Sequence, residues 1–75
     1  MNDEFLGFRP HAGTVIEVFR AWRSVAGLIP GVFTSCGHFA RIRDQWSGVL
    51  IAEQRRLFPV ADDAVLHAVG WLNQR

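Results

Sequence analysis

The sequence predicts an all-α fold, a compact bundle of about three helices with an aromatic N-terminal arm, and three observations predict it. Thr14-Val15-Ile16-Glu17 has the form of a capping box, in which a hydroxyl and a carboxylate three residues apart satisfy two orphan amide donors reciprocally. Apolar residues recur at helical spacing in three separate stretches. Asp62 and Asp63 open the last stretch with negative charge suited to a helix N-terminus.

The chain reads as one domain, with residues 1–13 as the arm and 14–75 as the helical body. Phe5, Leu6 and Phe8 lie among Gly7, Pro10 and Gly13, a segment too broken for a long helix and too aromatic for an ordinary disordered tail. The first helix is expected from Val15 to Ala26, with Val15, Val18, Phe19, Trp22, Val25 and Ala26 on one side and Glu17, Arg20 and Ser24 on the other. Gly27 is placed to end it in a left-handed cap, and Pro30-Gly31 prevents continuation. Leu28 to Phe33 then reads as an apolar connection folded over the core, or else as an exposed docking loop. A membrane span needs about 20 mainly apolar residues. Gly27, Pro30, Gly31 and Gly37 interrupt this stretch, so no span is predicted.

Thr34 or Ser35 is the expected N-cap of the second helix, with Phe39, Ile42, Trp46, Val49, Leu50 and Leu57 along one face. Arg41, Asp44, Gln45, Gly48, Ala52, Arg55 and Arg56 fall opposite. Glu53 breaks the pattern by landing among the apolar residues. Gly48 kinks the helix and turns it away, or an Arg or a partner holds it, or Val49 to Glu53 is a short strand. The last option makes a small α+β domain the alternative fold. Pro59 ends this element. The third helix buries Ala61, Ala64, Val65, Ala68, Val69 and Leu72, with Trp71 flanking, and its alanines allow a close approach to a neighbour. The expected core is Phe19, Trp22, Phe39, Ile42, Trp46, Leu50, Val65, Val69 and Leu72.

A domain of 75 residues hides only about 60% of its unfolded surface. With 28 large apolar side chains (Trp, Phe, Leu, Ile, Val and Met), it has more than it readily encloses, which points to self-association, most simply as a dimer, or to a partner surface. The net charge of +1 gives no broad attraction to nucleic acid or anionic lipid. All the basic residues are Arg; a GC-rich coding bias accounts for this, and bidentate contacts are the functional alternative. The single Cys36 excludes an internal disulfide framework, and the acidic start Met1-Asn2-Asp3-Glu4 lacks a secretory pattern, so a cytoplasmic location is expected.

No motif supplies a set of chemical groups. Cys36-Gly37-His38, with His11, His67, Asp62 and Asp63 elsewhere, lacks paired zinc spacing and lacks a group to orient a thiol and its base. No catalytic residue, cofactor or metal is expected. Trp46-Ser47-Gly48 resembles the Trp-x-Gly turn of small secreted helical-hairpin proteins over three residues only, and nothing is carried over from it.

The function expected is non-catalytic protein binding by a small regulator or inhibitor, a kind of domain common among phage and mobile-element accessory proteins. Its partner would be a larger protein. Arg41, Arg55 and Arg56 would form the polar rim, and Leu28, Ile29, Phe33, Phe5 and Phe8 the apolar anchors. The alternative is a nucleic-acid-binding transcriptional regulator. Against it, Asp44 shares the Arg face and the basic excess is small.

Overall fold

A computed structural model describes residues 2–24 and 31–74. Strands β1 (Asn2–His11), β2 (Thr14–Ser24), β3 (Phe33–Asp44) and β4 (Leu50–Phe58) form an antiparallel sheet in chain order, followed by helix α1 (Ala61–Asn73). The all-α bundle is therefore wrong, and the α+β alternative is closer. Most described residues of the expected arm, first helix and second helix are strand, apart from the turns at 12–13 and 45–49; residues 25–27, the end of the expected first helix and its Gly27 cap, lie outside the described residues.

The physical reason lies in β2. Both of its faces are buried: Ile16 and Val18 on one side, Phe19 and Ala21 on the other. A strand buried on both sides loses its polar alternation, and the surviving apolar residues can be fitted to a helical stripe. The β-branched Val15, Ile16 and Val18, with Phe19 and Trp22, suit the pleated surface they occupy. Thr14 caps no helix. Its hydroxyl donates to the His11 carbonyl at 2.5 Å, bracing the turn between β1 and β2. Ala12 and Gly13 both have positive φ there, 49° and 79°, as a two-residue hairpin turn of the primed type requires.

In β3, His38, Ala40 and Ile42 face one side while Phe39, Arg41 and Arg43 face the other, their directions set by pairing with β2. The hairpin 44–49 leads into β4, which is irregular. Ile51 is an extra residue opposite the Ile42-Arg43 step, and residues 55–57 span what Phe39 alone spans on β3. Gly37 lies against this second bulge with φ 119°, and a Cβ there would stand 2.9 Å from the Phe58 carbonyl oxygen.

Helix α1 is the element the sequence located. Ala64 and Ala68 are buried on the sheet, and Ala68 joins Ile16, Ala40 and Ile42 in the main core, flanked by Ile51, Ala52, Val69 and Leu72. Its N-cap is Val60, without a side-chain cap, and Asp62 and Asp63 occupy the first turn. Of the expected core, Phe19, Phe39 and Ile42 are buried. Trp46 is instead 86% exposed at a hairpin tip and Leu50 is 45% exposed at the start of β4, since neither belongs to a helix face. No helix among the described residues is long and apolar enough to cross a membrane.

A candidate protein-binding face on the open side of the sheet

Helix α1 covers one side of the sheet. The opposite side has no helix over it among the described residues, yet Phe39 is fully buried there and Phe19 nearly so. The cover is made of arginines. The rings of Phe19 and Phe39 stack at 5.2 Å, with Phe5 edge-on to Phe19 at 5.6 Å. The Arg41 guanidinium lies 4.6 Å from the centre of Phe19, and that of Arg55 lies 4.3 Å from the centre of Phe39. A planar, weakly hydrated guanidinium can rest on an aromatic ring and still turn its N–H groups to acceptors.

Those acceptors are carboxylates on neighbouring strands. Arg41 Nε donates to Glu53 at 2.7 Å, Arg55 reaches Glu53 at 3.2 Å and Asp3 at 3.4 Å, and Arg43 Nε donates to Glu17 at 2.7 Å. The Arg55–Asp3 pair joins the two edge strands across the aromatic stack. The Arg41 hydrogen bond holds the Glu53 carboxyl below its ordinary value, with Arg55 adding to the effect and desolvation opposing it. Two of the explanations for Glu53's misfit are observed: Arg41 holds it, and Leu50 to Glu53 belongs to strand β4; no helix is kinked at Gly48. Arg41, Arg43 and Arg55 are thus balanced by Glu53, Glu17 and Asp3.

Apolar residues border the paired charges. Phe5 and Phe8 on β1 are 53% and 59% exposed, and Leu50, paired with Arg43, joins the same face from β4. Beyond the end of the face stands Trp46. Its hairpin is held by Asp44, whose Oδ1 accepts from the Trp46 and Ser47 backbone N–H groups at 2.9 and 2.8 Å and from the Ser47 hydroxyl at 3.1 Å. Ser47's N–H, then Trp46's, then the Ser47 hydroxyl keep the Asp44 carboxyl below its ordinary value. Gln45 N–H donates to the Gly13 carbonyl at 3.0 Å, tying this hairpin to the β1–β2 turn. The indole is thus carried on a braced tip.

Four residues expected at a partner surface, Arg41, Arg55, Phe5 and Phe8, share this face. Arg56 lies apart, 5.1 Å from the centre of the Phe58 ring, and Phe33 is half-exposed at the start of β3. Leu28 and Ile29 lie outside the described residues. Sequence reasoning missed Trp46 and Leu50 as surface groups; the signal available was Asp44-Gln45-Trp46-Ser47-Gly48, an Asp-initiated turn composition.

The thiol and imidazole of Cys36 and His38 form no dyad. The Arg20 Nε–H donates to His38 Nε2 at 3.3 Å, which leaves Nδ1–H to donate to the Phe58 carbonyl at 3.1 Å. Cys36 Sγ contacts the Thr34 carbonyl oxygen at 4.0 Å. His67 packs on Phe58, and no metal-binding group of three or more His, Cys, Asp or Glu occurs among the described residues. Comparison with protein-family models, curated proteins and solved structures gave no match.

Proposed function

We propose that this protein is a non-catalytic binding module, a small regulator or inhibitor that docks on a larger protein through Trp46 and the apolar border of the open face. One observation carries the reading: a Trp side chain 86% exposed on a turn held by hydrogen bonds to a single carboxylate. Large aromatic anchors dominate protein interfaces, and a braced loop loses little entropy when one of them enters a pocket. The occupant of this surface is a protein with an apolar pocket able to take an indole. Phe8 and Leu50 extend the contact, and the paired Arg41 and Arg55 form its polar rim.

The competing reading is nucleic-acid binding, which draws its affinity from cations facing phosphates. Arg41, Arg43 and Arg55 already face carboxylates, which favours a protein partner.

The test is quantitative affinity capture from cells of the source, comparing wild type with Trp46→Ala. A protein retained by wild type and lost by a folded Trp46→Ala variant is expected. The same proteins retained by both, or salt-sensitive retention of nucleic acid alone, would overturn the proposal.

A further inference from the structure

We infer that two copies of this chain join edge to edge, β1 to β1, antiparallel about a two-fold axis between Leu6 and Gly7, forming one continuous eight-stranded sheet. Strand β1 is terminal in the sheet, so one side of its backbone has no strand beside it among the described residues. Which groups point outward follows from the hairpin. His11 and Thr14 close a two-residue turn and form a hydrogen-bonded pair, so alternation directs the backbone groups of Pro10 and Phe8 away from β2. The bulge at Leu6 then shifts the phase, and Phe5 and Asp3 also point outward. Pro10 agrees with this assignment, since its missing N–H falls on the side where β2 needs none.

One antiparallel register matches the Phe5 and Phe8 groups and the side chains together, while Asp3 falls opposite Pro10 of the second copy, which can accept a hydrogen bond but donates none. With Phe5 opposite Phe8 of the second copy, outward backbone groups meet outward backbone groups, and both rings lie on the open face. The same register sets Glu4 opposite Arg9 of the second copy, both on the side facing α1, in a pair where side chains approach most closely. The strand begins acidic with Asp3 and Glu4 and ends basic with Arg9 and His11. Antiparallel self-pairing therefore opposes unlike charges at both ends, whereas parallel pairing would oppose like charges. The exposed Phe5, Leu6 and Phe8 are concentrated on this strand. The other edge, β4, is broken by two irregularities and offers no comparable ladder. This pairing shares Phe8 with the docking reading but not its anchor, because Trp46 lies in the β3–β4 hairpin, so Trp46→Ala tests the docking and leaves the β1 seam unchanged.

The experiment combines sedimentation with amide hydrogen exchange on the full chain across a wide concentration range. Wild type is expected to shift from monomer to dimer, with the Phe5 and Phe8 N–H groups slowing at least about tenfold as the dimer fills. Arg9→Glu sets a carboxylate against Glu4 and Glu4→Arg sets a guanidinium against Arg9, so each variant alone should remain monomeric. An equimolar mixture restores both opposite-charge pairs and should dimerise. If either variant fails to fold, exchange in wild type decides alone. A strict monomer at every concentration, a dimer in which the Phe5 and Phe8 amides still exchange fast, or protection that arises only when another protein is added would overturn the inference.

Discussion

Replacing Trp46 by Ala separates the two ways of reading its position. An apolar stripe at helical spacing puts this residue in the core, where Trp→Ala costs about 3–5 kcal/mol. The structure leaves only a seventh of it shielded, at 86% exposure. For a side chain of about 250 Å² the shielded part is roughly 35 Å², or about 0.9 kcal/mol at about 25 cal/mol per Å². The hydrogen bonds from the turn to Asp44 come from the Trp46 backbone and from Ser47, so they survive the substitution. Urea denaturation of the variant should therefore show a loss below about 1 kcal/mol with an unchanged slope. Phe39→Ala, at a fully buried ring, should lose about 3–5 kcal/mol in the same assay. A comparable loss in Trp46→Ala would refute the exposed-tip geometry, and the docking proposal with it.

Three further perturbations test the frame. Ala12 holds φ 49°, a conformation that costs an L-residue energy, and Ala12→Asn should stabilise by about 0.5–1 kcal/mol in denaturation, since Asn-Gly suits this turn. Gly37→Ala combines φ 119° with a 2.9 Å approach to the Phe58 carbonyl oxygen, so it should lose about 1–3 kcal/mol and loosen the end of β4, read as faster amide exchange there. Glu53 is depressed in the folded chain from an ordinary 4.5, so its contribution to stability is present above that value and is lost as pH falls through the lower folded value. Stability measured against pH should show a shallower acid decline in Glu53→Gln, and an identical slope would mean that the Arg41 pair does not form in solution.

The helix α1 was legible because it is a one-sided element. Alanines and aliphatic residues recur on the face against the sheet, while Asp62, Asp63 and Leu66 are exposed, and Pro59 and the two Asp residues mark its start. Strand β4 was legible only as an ambiguity: Val-Leu-Ile suits either state over so short a run, and Glu53 fitted the helix poorly. On the candidate face, Phe5 and Phe8 stand out by composition and Arg41 and Arg55 by their common side. Their shared location depends on strand register, which joins Asp3 to Arg55 across the chain.

What the sequence by itself determines here is local: a broken, aromatic start, a C-terminal amphipathic helix, a surplus of large apolar groups, a lone cysteine and nearly balanced charge. Whether residues 14–24 and 33–44 become helix or strand is decided by tertiary structure. Ile16 and Val18 pack toward the helix, while Phe19 and Phe39 pack beneath Arg41 and Arg55, so both sides of the central strands are buried by elements distant in sequence. Short-range periodicity carries no information about a cover supplied from elsewhere in the chain. An arginine that reads as a solvated rim residue can therefore serve as the lid of a small aromatic core, and a tryptophan centred in an apparent stripe can stand in water at the tip of a hairpin.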